Sequence, residues 1–148
     1  MKIVFVCCGN ICRSPYAEYI FKDIMKKAGL SQNFVIESRA TSNEAIGMKP
    51  HRETLFALNE EKIIVDKLSV QLKKSDYDKY DLFVGMDAYN RRDMVTLFNG
   101  DMDEKVHLLL DYSDEKGDID DPWYTRDFQK AFKEIKKGCE ALFNKLRS

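Results

Sequence analysis

Apolar residues in this chain fall into short unbroken runs, separated by stretches in which they recur at helical spacing. Ile3-Val4-Phe5-Val6 is the first run and predicts a buried strand. Ser14 then stands as a candidate N-cap with Pro15 as the first helical residue. Tyr16, Ile20, Phe21, Ile24 and Met25 carry the helix forward until Gly29 stops it. Residues 34–37 read as a second short strand, and residues 41–49 as a loop. Pro50 opens a second helix with Leu55, Phe56 and Leu58. Residues 62–65 read as a turn or short extended piece, and 75–78 as a capped helical turn. Residues 81–86 predict a third strand around Leu82-Phe83-Val84, and residues 88–98 a helix that turns Tyr89, Met94, Val95 and Phe98 to the core. Residues 106–110 are the fourth strand and 111–124 an acidic loop. A last helix over about 125–146 aligns Phe128, Phe132, Ile135, Cys139, Leu142, Phe143 and Leu146 on one face.

Strands alternate with helices, and three of the strands are continuous apolar runs rather than alternating ones. That pattern predicts an α/β fold: a single domain over residues 1–148, with an open four-stranded parallel sheet and helices on both faces. Ligands of such sheets bind beyond the carboxyl ends of the strands. The loop after the first strand, the Met86-Asp87 step and the acidic loop all fall at that edge.

A chain of 148 residues, 44% hydrophobic and 33% charged, buries a core without staples. The net charge of −1 lacks the basic excess of a nucleic-acid binder. No apolar stretch reaches membrane-spanning length, and a secretory leader is not expected ahead of the first strand. Three of the four cysteines, Cys7, Cys8 and Cys12, crowd one loop, unlike a disulfide framework, and this predicts a reducing, cytoplasmic location. There is no Cys-x-x-Cys pair, and His51 and His107 lack metal-ligand neighbours, so neither metal nor cofactor is expected. A monomer is the expected state.

The chemistry concentrates after the first strand. Cys7 and Arg13 are separated by five residues. A loop between them curls so that a thiol and a guanidinium point at one anion. The start of a helix, the Arg13 charge and the N–H groups of Cys8 to Arg13 all favour a thiolate at Cys7. The same N–H groups form a nest for a tetrahedral dianion. Gly9 and Asn10 tolerate left-handed backbone angles, and the Ser14 hydroxyl is placed to hydrogen-bond the sulfur. A lone strand-end cysteine is usually a small buried hydrophobe; strand, Cys-x5-Arg-Ser and helix start together point to catalysis.

Val6-Cys7-Cys8-Gly9-Asn10-Ile11-Cys12-Arg13-Ser14-Pro15 resembles the signature of the low-molecular-weight protein tyrosine phosphatases. Asp121-Pro122-Trp123-Tyr124 is similar to the second signature of that family, and Met86-Asp87-x-x-Asn90 to a weaker third. The resemblance implies a phosphotyrosine phosphatase acting on proteins or peptides through a phosphocysteine. Inorganic phosphate would be its product and inhibitor. Cys7 would be the nucleophile, Arg13 the holder of the phosphoryl oxygens, and Asp121 the general acid and then base. Cys8 to Cys12 and Ser14 would form the phosphate-binding loop. Cys12 would be a redox partner for Cys7, Ser38 and Asp87 loop supports, and Trp123 and Tyr124 the edge of the mouth. On the residues alone, Asp121 sits in an acidic Asp-Pro turn that also reads as a solvated bend.

The likeness is weakest at residues 38–44, Ser-Arg-Ala-Thr-Ser-Asn-Glu. Glu44 stands where the family has an aromatic pocket wall, Pro50-His51-Arg52 replaces Asp-Pro-Arg, and Lys67 stands near a frequent histidine. Glu44 reads equally as an ordinary exposed loop glutamate or as a charge beside the pocket that favours basic phosphopeptides, with Met48 as an alternative wall. Three rivals share the architecture. A thioredoxin-coupled arsenate reductase needs two further cysteines, and only Cys139 remains. A protein arginine phosphatase typically has threonine where this chain has Ile11, whose methyl groups suit a phenyl ring. A non-enzymatic phosphate-binding module or phosphocysteine carrier would lack Arg13 or Asp121.

Overall fold

The computed structural model describes residues 1–148. Nine main elements follow in chain order: β1 (Lys2–Cys7), α1 (Arg13–Lys27), β2 (Val35–Ala40), α2 (Arg52–Glu60), β3 (Leu82–Gly85), α3 (Ala88–Leu97), β4 (Val106–Leu108), α4 (Pro122–Thr125) and α5 (Phe128–Arg147). The four strands form one parallel sheet in the order β2-β1-β3-β4. β1 therefore lies inside, with β2 and β3 on its two flanks. The chain reverses its winding between β1 and β3, and the carboxyl ends of these two strands make the crevice in which such folds bind ligands.

β1 is apolar throughout because both its faces are covered. Ile3, Phe5 and Cys7 join a core with α1, α2 and α5, while Val4 and Val6 join a smaller one with Phe83, Met94 and Phe98. Each fully buried Phe or Ile side chain contributes about 1.5–3 kcal/mol. The last helix comes so close to the turn after β4 that a Cβ on Gly138 would lie 2.6 Å from Leu109 Cγ. Gly29, at φ +73, ends α1 as expected, and the Leu30 N–H bonds back to the Met25 carbonyl at 2.8 Å.

Several expectations are corrected. α1 begins at Arg13, so Ser14 is inside the first turn and Cys12 holds the N-cap position without a side-chain bond. β2 extends to Ala40, since it pairs with β1 as far as Cys7. α2 begins at Arg52, capped by His51 Nδ1, which accepts the Glu53 N–H at 3.1 Å. Tyr89 and Val95 are exposed. α3 is phased instead by Asn90, whose Oδ1 accepts the N–H groups of Met86 and Asp87 and so turns residues 90, 94 and 98 inward. β4 ends at Leu108 and passes into a helical turn, Leu109–Tyr112. The acidic loop holds the short α4, and α5 starts at Phe128 because Arg126 adopts φ 64 and Asp127 caps the new helix.

Candidate active site

The loop from Cys7 to Arg13 is a cup of N–H groups. Its carbonyls are turned outward and bonded: Cys7 O to Thr41 N–H, Cys8 O to Ser42 N–H, Gly9 O to the Ser69 hydroxyl and Ile11 O to His51 N–H. The N–H groups of Cys8 to Cys12 have no acceptor in the protein. Asn10 supplies the left-handed residue, φ 54, that lets the chain reverse. Gly9 does not adopt a positive φ, and an added Cβ would meet only ordinary contacts; nothing in the structure explains its being glycine.

The sulfur of Cys7 receives two donors. Ser14 Oγ lies 3.0 Å from it and Ser14 N 3.4 Å. The direction of the hydroxyl bond follows from its neighbours. Asn10 Nδ2 donates one hydrogen to Ser14 Oγ at 2.7 Å and the other to Ser38 Oγ at 2.9 Å, while Asn10 Oδ1 accepts the Val70 N–H. Ser38 passes its own hydrogen to Glu18 Oε1 at 2.5 Å, and Lys22 and Lys67 lie against the same carboxylate. Glu18 thus fixes the direction of the Ser38 hydroxyl, the Val70 N–H fixes the Asn10 amide, and the Ser14 hydrogen is left to point at Cys7. Desolvation lowers the Lys67 pKa against the pull of Glu18, and its Nζ donates to the Ser38 carbonyl at 3.0 Å.

Arg13 is held from behind. Nη1 gives both hydrogens to the protein, one to Asp87 Oδ2 at 2.7 Å and one to Ile119 O at 2.8 Å. Nη2 and Nε are the edge left to grip an anion in two places. Burial works against the guanidinium charge, but Cys7, Asp121 and Asp87 outweigh it and raise its pKa. Asp87 also caps α3 by accepting the Asn90 N–H at 2.9 Å. It supports the arginine directly and the loop only through it. Ser38 does contact the loop, through Asn10.

Asp121 comes from far along the chain. Ile119 N–H bonds to Met86 O at 2.9 Å and Ala88 N–H to Asp118 Oδ1 at 3.0 Å, so the acidic loop is stitched over the ends of β3 and α3. Asp121 Oδ1 accepts the Trp123 N–H at 3.0 Å as the cap of α4, and Oδ2 lies 3.4 Å from Arg13 Nη2. Pro122 suits the first helical position there.

These groups line a cavity of about 440 Å³. It brings together Cys7, Cys8, Gly9, Ile11, Cys12, Arg13, Glu44, Asp121, Trp123 and Tyr124 from the sequence-predicted set. Asn10, Ser14, Ser38 and Asp87 stand behind its floor. Ala45, Met48, Lys49, Pro50, His51 and Phe128 complete the lining; of these, only Met48 carries an expected role. Burial pushes the Cys12 thiol up to about 12, and it raises Cys8 as well. Both remain thiols at neutral pH. Glu18 was missed by sequence reasoning, yet its signal is present: it falls at i+4 from Ser14, on the face of α1 that carries Ala17, Phe21 and Met25. No group of three or more His, Cys, Asp or Glu side chains is arranged around one metal position.

Residues 2–148 match the profile of the family described as low molecular weight phosphotyrosine protein phosphatase. The chain is 37% identical over 145 residues to the low molecular weight protein-tyrosine-phosphatase YfkJ of Bacillus subtilis, covering 96% of this chain and 93% of that one. The crystal structure of YfkJ superposes with a TM-score of 0.96 at 35% identity, over 99% of this chain and 94% of that one. A Drosophila arginine phosphatase superposes at 0.90 with 27% identity, over 100% and 99% of the two chains.

Proposed function

The chain belongs to the low molecular weight phosphotyrosine protein phosphatases, and from that premise we propose that it hydrolyses phosphotyrosine in proteins with Cys7 as nucleophile, Arg13 as phosphoryl clamp and Asp121 as acid and base. These enzymes are phosphoric monoester hydrolases with cysteine chemistry. Two bond exchanges make up the reaction. In the first, the Cys7 thiolate attacks phosphorus opposite the phenolic oxygen, an S–P bond forms and the O–P bond breaks. Asp121 gives its proton to the departing phenolate. In the second, Asp121 takes a proton from water, the water oxygen bonds to phosphorus, and the S–P bond breaks to return the thiolate. The N–H groups of residues 8–12 and the Nη2/Nε edge of Arg13 hold the equatorial oxygens in both steps. Ser14 favours the thiolate as attacking and as leaving group.

One observation carries this reading: Cys8, Gly9, Ile11 and Cys12, whose N–H groups have no acceptor in the protein, line the same cavity as Cys7, Arg13 and Asp121. Release of phosphate from an aryl phosphate by wild type, Cys7→Ser and Asp121→Asn tests it. Full activity of Cys7→Ser would end the proposal. Phosphoarginine is the second substrate to compare, given the likeness to an arginine phosphatase. Ile11 lines the cavity with hydrocarbon and, with Trp123 and Tyr124, supports an aromatic leaving group. Arsenate reduction is disfavoured because Cys139 is sealed in α5, its Sγ 3.7 Å from the Ala17 carbonyl. We further assign Cys12 as the thiol that attacks a Cys7 sulfenic acid formed by a peroxide, the S–S bond forming as water leaves, and inorganic phosphate as a competitive product.

A further inference from the structure

His51 and Phe128 stack at 4.9 Å with their planes 22° apart. They wall the catalytic cavity on one side and, on the other, a second groove of about 500 Å³. A phosphotyrosine in a protein has chain on both sides, and chain that leaves the cavity over this stack enters the groove. Arg52, Glu53, Arg126, Asp127 and Gln129 complete its lining.

The two arginines set the groove apart. Arg13, Arg39, Arg91 and Arg92 each have a carboxylate partner; Arg52, Arg126 and Arg147 have none and are exposed, and of these Arg147 lies against Phe143 at the end of α5 while the other two share this groove. Arg126 is itself in the left-handed conformation, φ 64, with its N–H on Pro122 O at 2.9 Å. That turn sets its guanidinium 5.6 Å from the centre of the Trp123 ring, which borders the catalytic cavity. Of the two acidic residues, Asp127 is engaged in capping α5 through the Lys130 N–H at 3.1 Å. Glu53 is the one carboxylate without such an engagement. α2 and α5 both begin at the groove, which adds the positive ends of two helix dipoles.

We propose that this groove binds an acidic side chain of the substrate protein, a few residues from the phosphotyrosine, between Arg52 and Arg126. The proposal rests on the phosphatase reading of Cys7 and Asp121. It assigns a charge preference to one flank of the phosphotyrosine, a property that catalysis on a bare aryl phosphate does not need.

The test uses phosphotyrosyl peptides with glutamate or lysine on one flank at a time, within about four residues of the phosphotyrosine, a reach of roughly 13 Å. Phosphate release gives kcat/KM for each. On one flank, glutamate is expected to exceed lysine by roughly three- to tenfold, the worth of one or two exposed ion pairs. The ratio should shrink with added salt, fall to about one in the Arg52→Gln/Arg126→Gln variant, and grow in Glu53→Gln, which removes the competing carboxylate. Equal kcat/KM for glutamate and lysine on both flanks overturns the proposal, and so does a preference that survives in the double variant. Absence of phosphate release from every peptide and from a simple aryl phosphate would instead remove the phosphatase reading beneath it.

Discussion

Residues 7–18 and the two rim segments, 41–51 and 121–128, meet at one cavity under opposite conditions. Below, Asn10, Arg13, Ser14 and Glu18 are each 4% exposed or less, and every polar side-chain atom named in the relay has a partner. Above, Met48, Trp123 and Tyr124 are more than half exposed, and Glu44 and Lys49 stand in water without an ion pair. A buried partner cannot be replaced by solvent, so removing one group leaves another unsatisfied at about 1–3 kcal/mol. A rim side chain loses little when changed, because water takes its place. The floor is therefore suited to chemistry that admits one geometry, and the rim to selecting among substrates.

The first two predictions press on this contrast where it is widest. Cys7→Ser should lower turnover of phosphotyrosine by about 10⁴-fold or more while leaving the thermal midpoint nearly unchanged. A variant with more than a small residue of activity would mean that the floor does not carry the reaction. Asp121→Asn should slow phosphotyrosine hydrolysis by roughly 10²–10⁴-fold. A substrate with a better leaving group should suffer less, since it needs less protonation. Asp121 is the instructive exception to the division: it belongs to the rim loop by sequence, yet Arg13 and the Trp123 N–H tie it to fixed geometry. Equal losses with good and poor leaving groups would reassign it from acid to structural cap.

The floor was legible in the sequence because its pieces are local. Cys7, Arg13 and Ser14 lie within one loop, and the apolar run at residues 3–6 announces the strand that presents them. Asp121 is singled out by a resemblance rather than by its residues, since an acidic Asp-Pro turn has many ordinary explanations. What stayed hidden depends on pairing across the chain. Glu18 looks like any helical glutamate until Ser38 is seen opposite it. The phase of α3 departs from its apolar pattern because a polar residue, Asn90, outranks Tyr89 and Val95 for the buried side by bonding two strand-end N–H groups. Likewise α5 reads as continuous with residues 125–127, and only the backbone of Arg126 reveals the break.

The two smaller predictions separate the contrast most finely, since both replace a glutamate by glutamine. Glu18→Gln removes a buried charge that holds the half-exposed Lys22 and the mostly buried Lys67, and breaking the pair with Lys67 costs about 3 kcal/mol. The Ser38–Asn10–Ser14 relay also loses the carboxylate that anchors its Ser38 end, so kcat should fall by roughly tenfold, the worth of about one hydrogen bond to a charged group. A denaturant midpoint and kcat measured together check both effects, and a stable variant with full kcat would show the relay to be oriented without Glu18. Glu44→Gln should leave stability within about 0.5 kcal/mol. Its effect lies in selection: turnover of peptides with lysine beside the phosphotyrosine should fall by about two- to fivefold relative to neutral ones, less at high salt. Lys49 stands unpaired on the same lip and offsets part of this, so Lys49→Gln should move the ratio the other way. If Glu44→Gln altered kcat on a small aryl phosphate as strongly as Glu18→Gln does, the rim would share in the chemistry, and the division between floor and lip would have to be redrawn.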